Sequence, residues 1–426
     1  MSKEINFYFI NNFGGGAQTV ERAFSYINYL NPINNKNIHL QLNFRYLNFR
    51  EWIGSNYSNH EIDELNNKKI KLSDFIKFAG NKISKKYSID DLCKKKSLFV
   101  PEIMLDSGMG SILDYWINIK KLPLNKVISE SQNLISRYLN FINIHKPTFS
   151  VALDYSMKNT YKKNITESEK KNYSFIIDQL VKSTLEQNNL LINQIKYIRK
   201  NNLSIKMLAP IHGNDIDDYI LHYKKIIKIE SKTGYKFYGF ALGGLAKFKQ
   251  AYQIAKIVKK IRDFNEKRKI HILGSSGIDK LLLLMYSGAD SFDCNSLWRR
   301  ANDPTAKILI PLLNKNLNFE RNEKNMFKYI EIDKINNQQF FCSCPICVEF
   351  PLSELKKLYS KREINREYYY FATIMIGFHA VYQHQYIIEK FKKIFSKDNL
   401  YFNFVESIPD HEFKKKIKTQ IERYLK

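Results

Sequence analysis

Cysteine is scarce: there are five in 426 residues, one of them isolated at Cys93. That excludes a secreted disulfide framework and points to an intracellular, reduced chain. The expected setting is the cytoplasm. The opening MSKEINFYFI lacks a basic head leading into a long apolar run, so no signal peptide is expected. No uninterrupted apolar run approaches about 18 residues, which argues against a membrane span. Internal repeats and low-complexity linkers are also missing. Acidic residues are few, 42 against 68 Lys and Arg, leaving a formal charge of +26. Such a surplus favours a polyanionic partner, nucleic acid first. A Lys/Asn/Ile-rich composition is the competing origin of the same surplus, because charge by itself names no partner.

Apolar residues make up 44% of the chain, enough for a substantial core. Short β-type runs recur: INFYFI (5–10), LFVPEIMLDSG (98–108), FSVALDY (149–155), IKMLAPIHG (205–213), KFYGFALGG (236–244), KIHILGSSG (269–277) and ADSFDC (289–294). Stretches 168–200 and 246–269 between them carry apolar residues at three and four spacing, as helices do. Strand and helix alternating this often predict a parallel sheet, and six or more units in one run favour a (β/α)8 TIM barrel over a doubly wound sheet. We read residues 1–310 as the barrel, with a divergent N-terminal region. Residues 311–426, which hold three of the five cysteines, read as a helical C-terminal subdomain packed on it, ending in a basic helix at 411–426.

A barrel makes a prediction about chemistry, since the C-terminal ends of its strands share one mouth. Asp106, Asp154, His212, Gly243, Gly244, Gly274 and Asp293 all fall at such ends. Any one aspartate there is accounted for by helix capping or a turn. Capping does not account for three from distant segments meeting at one face, which reads as a shared acidic site.

The stretch FFCSCPICVEF (340–350) places Cys342, Cys344 and Cys347 too tightly for comfortable disulfides. Three thiolates suit one tetrahedral zinc at about 2.3 Å. The fourth ligand is then a downstream histidine. His379, in the apolar stretch FATIMIGFHAVY, is the first candidate and His384 the second. A full Cys3His set leaves no position for water, so the zinc is expected to be structural.

Together these motifs resemble the tRNA-guanine transglycosylase superfamily over roughly 98 to 385. MLDSGMGSIL is similar to its Asp-Ser-Gly-Gly block and VALDYS to its strand ending in a base-reading aspartate. GFALGGLAKF is similar to its Gly-Gly-Leu-Ala block, HILGSSGIDKLLLLMYSGADSFDC to the segment ending in Phe-Asp-Cys, and the cysteine cluster with a later histidine to its zinc site. The resemblance implies a pentosyltransferase with Asp293 as nucleophile and Asp106 as general acid/base. It implies base recognition by Asp154, His212, Gly213, Gly243, Gly244 and Leu245, with His212 and Gly213 standing where the family has Gln-Gly. It also implies zinc on Cys342, Cys344, Cys347 and His379.

That chemistry is physically coherent. A carboxylate can trap an oxocarbenium-like sugar covalently, as in retaining glycosidases, while a second carboxylic acid protonates the departing base. The family's tRNA enzymes follow Phe-Asp-Cys with a Pro-Thr-Arg-x-x-Arg type of segment, whereas this chain has FDCNSLWRRANDPTA. Trp298 with Arg299 and Arg300 offers a stacking face and phosphate contacts, suited to an extruded base or a single strand; core packing is the competing role for the tryptophan. The resemblance is therefore placed with the branch that inserts 7-deazaguanine bases into DNA. The expected partners are DNA, a free 7-deazaguanine base such as preQ0, and a protein that opens the duplex. A tRNA transglycosylase and a catalytically silent, zinc-containing nucleic-acid-binding subunit are the alternatives.

Overall fold

The computed structural model describes the backbone of residues 6–10 and 39–43, residues 102–155, and most of 184–426. Within the last span 246–247, 276, 295–299, 302–305, 310–327, 336–339, 341, 362–365, 395–401, 404 and 409–410 lie outside the described residues, as do 156–183 apart from a few isolated positions.

Eight parallel strands close into a barrel: β1 (Asn6–Ile10), β2 (His39–Asn43), β3 (Ile103–Asp106), β4 (Phe149–Val151), β5 (Met207–Ile211), β6 (Gly239–Leu242), β7 (Lys269–Ile272) and β8 (Ser291–Cys294). They pair in sequence order, and β8 closes the ring on β1 with Tyr8 opposite Asp293. Seven of these strands fall within the seven β-type runs of the sequence. The eighth, β2 (HLQLN), has polar residues at alternate positions and no near-continuous apolar run, and so lacks the usual signature of a buried parallel strand.

Connecting helices follow β3 onward: α1 (Met109–Asp114), continued by a π-helical turn Tyr115–Ile119, then α2 (Leu124–His145), α3 (Thr184–Lys200), α4 (Ile216–Thr233), α5 (Ala251–Asp263) and α6 (Ile278–Tyr286). Local chemistry fixes their ends. The Asp215 carboxylate caps α4 by accepting the Asp218 N–H, and Gly234 stops it in the left-handed region at φ 63°. On α5, Ile254, Ile257, Val258 and Ile261 form a buried stripe at three and four spacing. The expected helix over 246–269 overshoots: α5 ends at Asp263, Asn265 turns the chain at φ 58°, and Lys269 already belongs to β7.

Strand alternation divides the core in two. Outward-facing Leu105, Ile211, Phe240, Leu242, Ile270, Ile272 and Phe292 pack under the helices. Met104, Phe149, Val151, Leu208 and Ala241 fill the barrel interior, with Leu273 against them. At the N-terminal face Arg262 ties α5 to the last two strands: its guanidinium pairs with Asp290, which accepts the Ile270 N–H at 2.7 Å.

Past the barrel, β9 (Lys307–Leu309) and β10 (Tyr329–Glu331) form an antiparallel pair. The chain continues through α7 (Pro345–Glu349), α8 (Leu352–Ser360), α9 (Arg366–Ile394) and α10 (His411–Leu425). From Phe371 to Ile388 α9 is buried on every side, packed by α7, α8, β9 and the barrel strand β1. The basic helix α10 lies on α5 and α6, where Gln420 accepts the Tyr252 N–H at 3.3 Å. Among the described residues no helix is long and apolar enough to cross a membrane.

Candidate active site and metal centre

The C-terminal mouth of the barrel gathers the sequence candidates. Asp106 is the last residue of β3, Asp154 lies three residues past β4, His212 follows β5, Gly243 and Gly244 follow β6, and Asp293 is the third residue of β8. Asp106 and Asp154 share a neighbour in Tyr138 of α2. This tyrosine is fully buried, donates to the Val151 carbonyl at 2.6 Å, and is pushed well above its usual pKa by burial and then by the two carboxylates.

Asp154 sits in irregular chain, yet that chain is held as firmly as a strand. Gln194 of α3 accepts the Leu153 N–H at 2.8 Å and donates to the Leu153 carbonyl at 2.9 Å. Gln187, two helical turns earlier, does the same for Tyr155 at 3.2 and 2.9 Å. Two side-chain amides thus stand in for a neighbouring strand and fix the residue between them.

The Asp154 carboxylate contacts His212 Nε2 directly, and both side chains are largely buried. The imidazole lies over Gly243: a Cβ there would come within 2.2 Å of His212 Cε1, so only glycine admits it. His212 is steadied from behind by His222, whose Nδ1 is 3.1 Å from its backbone N and O. Burial, and then the neighbouring His212, lower the His222 pKa from 6.5 to about 4, so His222 is neutral. The Gly243 carbonyl accepts from Tyr219. Gly213 is packed hard against Tyr219 at the start of α4, and Leu245 is fully buried.

On the opposite wall Asp293 is 1% exposed. Its Oδ1 accepts the N–H of Gly274, which holds φ +68° past the end of β7, and its Oδ2 lies 3.2 Å from His271 Nε2. His271 Nδ1 is 2.8 Å from Ser291 Oγ. Burial lowers the His271 pKa, which favours the neutral ring. Motif reading missed His271, Ser291, His222, Gln187 and Gln194. The available signal was period two: His271, Ser291 and Asp293 occupy inward positions of adjacent strands, where barrels usually place branched apolar side chains.

Trp298 and Arg299 lie outside the described residues. Arg300 is exposed, with its guanidinium 4.2 Å over the Tyr329 ring.

A second cluster lies in the C-terminal part of the chain. Cys342, Cys344, Cys347 and His379 place their ligand atoms within 4.8 Å of one another. Zinc with sulfur at about 2.3 Å and nitrogen at about 2.0 Å, held tetrahedrally, would separate S and N by roughly 3.5 Å. The three sulfurs lie 3.6, 3.3 and 3.2 Å from His379 Nδ1. His379 Nε2 is 2.6 Å from the Leu309 carbonyl, which fixes the tautomer and leaves the Nδ1 lone pair for the metal. The Gln383 amide donates to Cys342 Sγ at 3.3 Å. The set suits a closed structural zinc, with the metal joining α7 to α9 and, through Leu309, to β9. His384 is not part of it: its Nδ1 faces the Ala380 carbonyl at 2.7 Å, one turn back on the same helix.

A family model described as queuine tRNA-ribosyltransferase matches residues 94–409. No curated protein matches the chain.

Proposed function

The chain belongs to the queuine tRNA-ribosyltransferase family and is a guanine transglycosylase, a pentosyltransferase acting on nucleic acid, and from that premise we propose that it exchanges guanine in DNA for a 7-deazaguanine base through an aspartyl-sugar intermediate. The observation that carries this reading is the convergence of Asp106, Asp154 and Asp293, from three segments far apart in sequence, on one barrel mouth.

Asp293, held by Gly274 and His271, is the nucleophile. One carboxylate oxygen bonds to the sugar carbon as the bond from that carbon to guanine breaks, and the base leaves with the electron pair. Asp106 is the acid that protonates the departing guanine. It then takes a proton from the incoming base, whose nitrogen attacks the same carbon and expels Asp293, so the anomeric configuration is retained. Asp154 and His212 read the base edge, and Gly243, Gly244 and Leu245 line its pocket. Residues 1–310 form the catalytic unit, and 311–426 shape the nucleic-acid groove, where Trp298, Arg299 and Arg300 contact the strand. DNA is chosen over tRNA because the segment after Phe-Asp-Cys and the His212–Gly213 pair depart from the pattern of the tRNA enzymes. The description of the matching family favours tRNA as the second reading. Extruding a base from duplex DNA costs a few kcal/mol, which a duplex-opening partner would offset.

The test offers labelled guanine or preQ0 with duplex DNA, single-stranded DNA and tRNA in parallel. Label should enter DNA, and Asp293→Asn should abolish both exchange and the covalent protein–nucleic acid adduct. Asp106→Asn should slow exchange by about 100-fold or more, in keeping with loss of a general acid/base. Label entering tRNA alone would overturn the choice of substrate.

A further inference from the structure

We propose that His271 is a positioning residue for the nucleophile, its neutral imidazole being clamped by Ser291 on one side so that its other nitrogen orients the Asp293 carboxylate toward the sugar. The proposal rests on the reading of Asp293 as the nucleophile.

The three side chains sit together by strand register. His271 of β7 lies opposite Ser291 of β8, and Asp293 is two residues on, facing the same barrel interior. His271 and Ser291 are 0% exposed. Nearby interior positions hold Met104, Val151, Leu208 and Ala241. A polar trio in such a layer is stable only if its members satisfy one another. One hydrogen arrangement does so. An ionised carboxylate can only accept, so His271 Nε2 carries the proton and donates to Asp293 Oδ2. His271 Nδ1 then accepts, and the Ser291 hydroxyl donates to it. With Gly274 N–H on Oδ1, each carboxylate oxygen has a fixed donor and the plane of the group is set before substrate arrives.

The array has the membership of a Ser-His-Asp triad with the roles displaced. Ser291 is sealed from solvent and attacks nothing; it fixes a tautomer. The aspartate, at the mouth end of the line, is the reacting group. A neutral donor also leaves the carboxylate more nucleophilic than a cationic partner would, because it withdraws less charge from the oxygens.

Side-chain geometry supplies the test. The amide nitrogen of glutamine can occupy the place of a histidine Nε2, whereas leucine fills similar space with no donor. In guanine-for-guanine exchange, His271→Leu should lower kcat and the rate of adduct formation by about 10- to 100-fold, with KM for the nucleic acid within about twofold. His271→Gln should regain a large part of that loss. Ser291→Ala, which frees the tautomer but leaves the ring, should fall between wild type and His271→Leu. Melting temperatures measured on the same samples separate chemistry from folding. The proposal is overturned if His271→Leu exchanges at the wild-type rate while Asp293→Asn is inactive. It is equally overturned if the Gln and Leu variants lose activity to the same extent, which marks His271 as packing alone. Exchange surviving Asp293→Asn would instead sink the nucleophile reading on which it rests.

Discussion

A Cβ added at Gly243 would sit 2.2 Å from His212 Cε1 and 2.6 Å from Nδ1, inside any real contact distance. The imidazole cannot simply swing aside, because its Nε2 is engaged by Asp154 and its backbone by His222. Gly243→Ala should therefore break the His212–Asp154 contact before it breaks the fold. We expect the base KM to rise at least about tenfold, and the fold to lose about 1–3 kcal/mol, the usual range for overpacking. Titrating exchange with free base and measuring urea midpoints gives both numbers; a variant with unchanged base KM would show that this pair does not read the base. The same pair shows how far the sequence can be read at this scale. Asp154 and His212 were legible one by one, as polar residues at strand ends. Their direct contact was not, because they are 58 positions apart and meet only when β4 and β5 are paired. His271 was hidden for a different reason: in KIHIL it looks like one polar residue in an apolar strand, and its partners lie on the next strand.

At the scale of elements, the chain around Asp154 depends on a helix rather than on a strand. Strand β4 spans three residues, and past Val151 the backbone at Leu153 and Tyr155 is paired by the side-chain amides of α3. Replacing Gln194 by Leu removes a buried donor and a buried acceptor together and leaves the Leu153 N–H and C=O without those partners. The expected cost is about 2–4 kcal/mol for two stranded backbone groups. Gln187→Leu, at the less buried end of the clamp, should cost less. Both should lower exchange activity by letting Asp154 drift, and chemical denaturation beside activity assays would check the order. A Gln194→Leu variant as stable as wild type would mean the amide does no structural work. None of this pairing was visible in sequence, where glutamines seven apart on a helix read as solvated polar positions. Seven barrel strands were visible because buried parallel strands are near-continuous apolar runs. The run HLQLN lacked that signature, so β2 emerged only from the ring that it completes between β1 and β3. The expected 246–269 helix ran long because lysine and arginine at 267–269 continue a helical composition, whereas the turn at Asn265 is a matter of backbone conformation.

At the scale of the molecule, the metal tetrad bears on the whole C-terminal part of the structure. Its four ligands come from the turn at Cys342–Cys344, from α7 and from α9, and the ring of His379 also holds the Leu309 carbonyl of β9. Helix α9 in turn packs against strand β1 of the barrel. Without a metal, three thiols and an imidazole would have to share a site in which two of the thiols and the imidazole are fully or nearly fully buried, with the ring already using its other nitrogen. Structural zinc in small domains contributes an apparent binding free energy of about 10–16 kcal/mol near neutral pH, far more than the remaining contacts of the tetrad could replace. Stripping the metal with a strong chelator should therefore lower the melting temperature by about 10 °C or more, the shift expected when about 10 kcal/mol is lost from a chain of this size. Zinc should restore it and magnesium should not, since thiolates select the softer ion. Native mass spectrometry should find one zinc per chain, and Cys344→Ser should lose it while His384→Gln keeps it, because His384 is bonded within its own helix. Exchange activity should fall in step with the loss of folded protein and recover with it, as expected of a metal that holds the fold and touches no substrate. A chelated protein that keeps its melting temperature but loses turnover would move the zinc from architecture to chemistry.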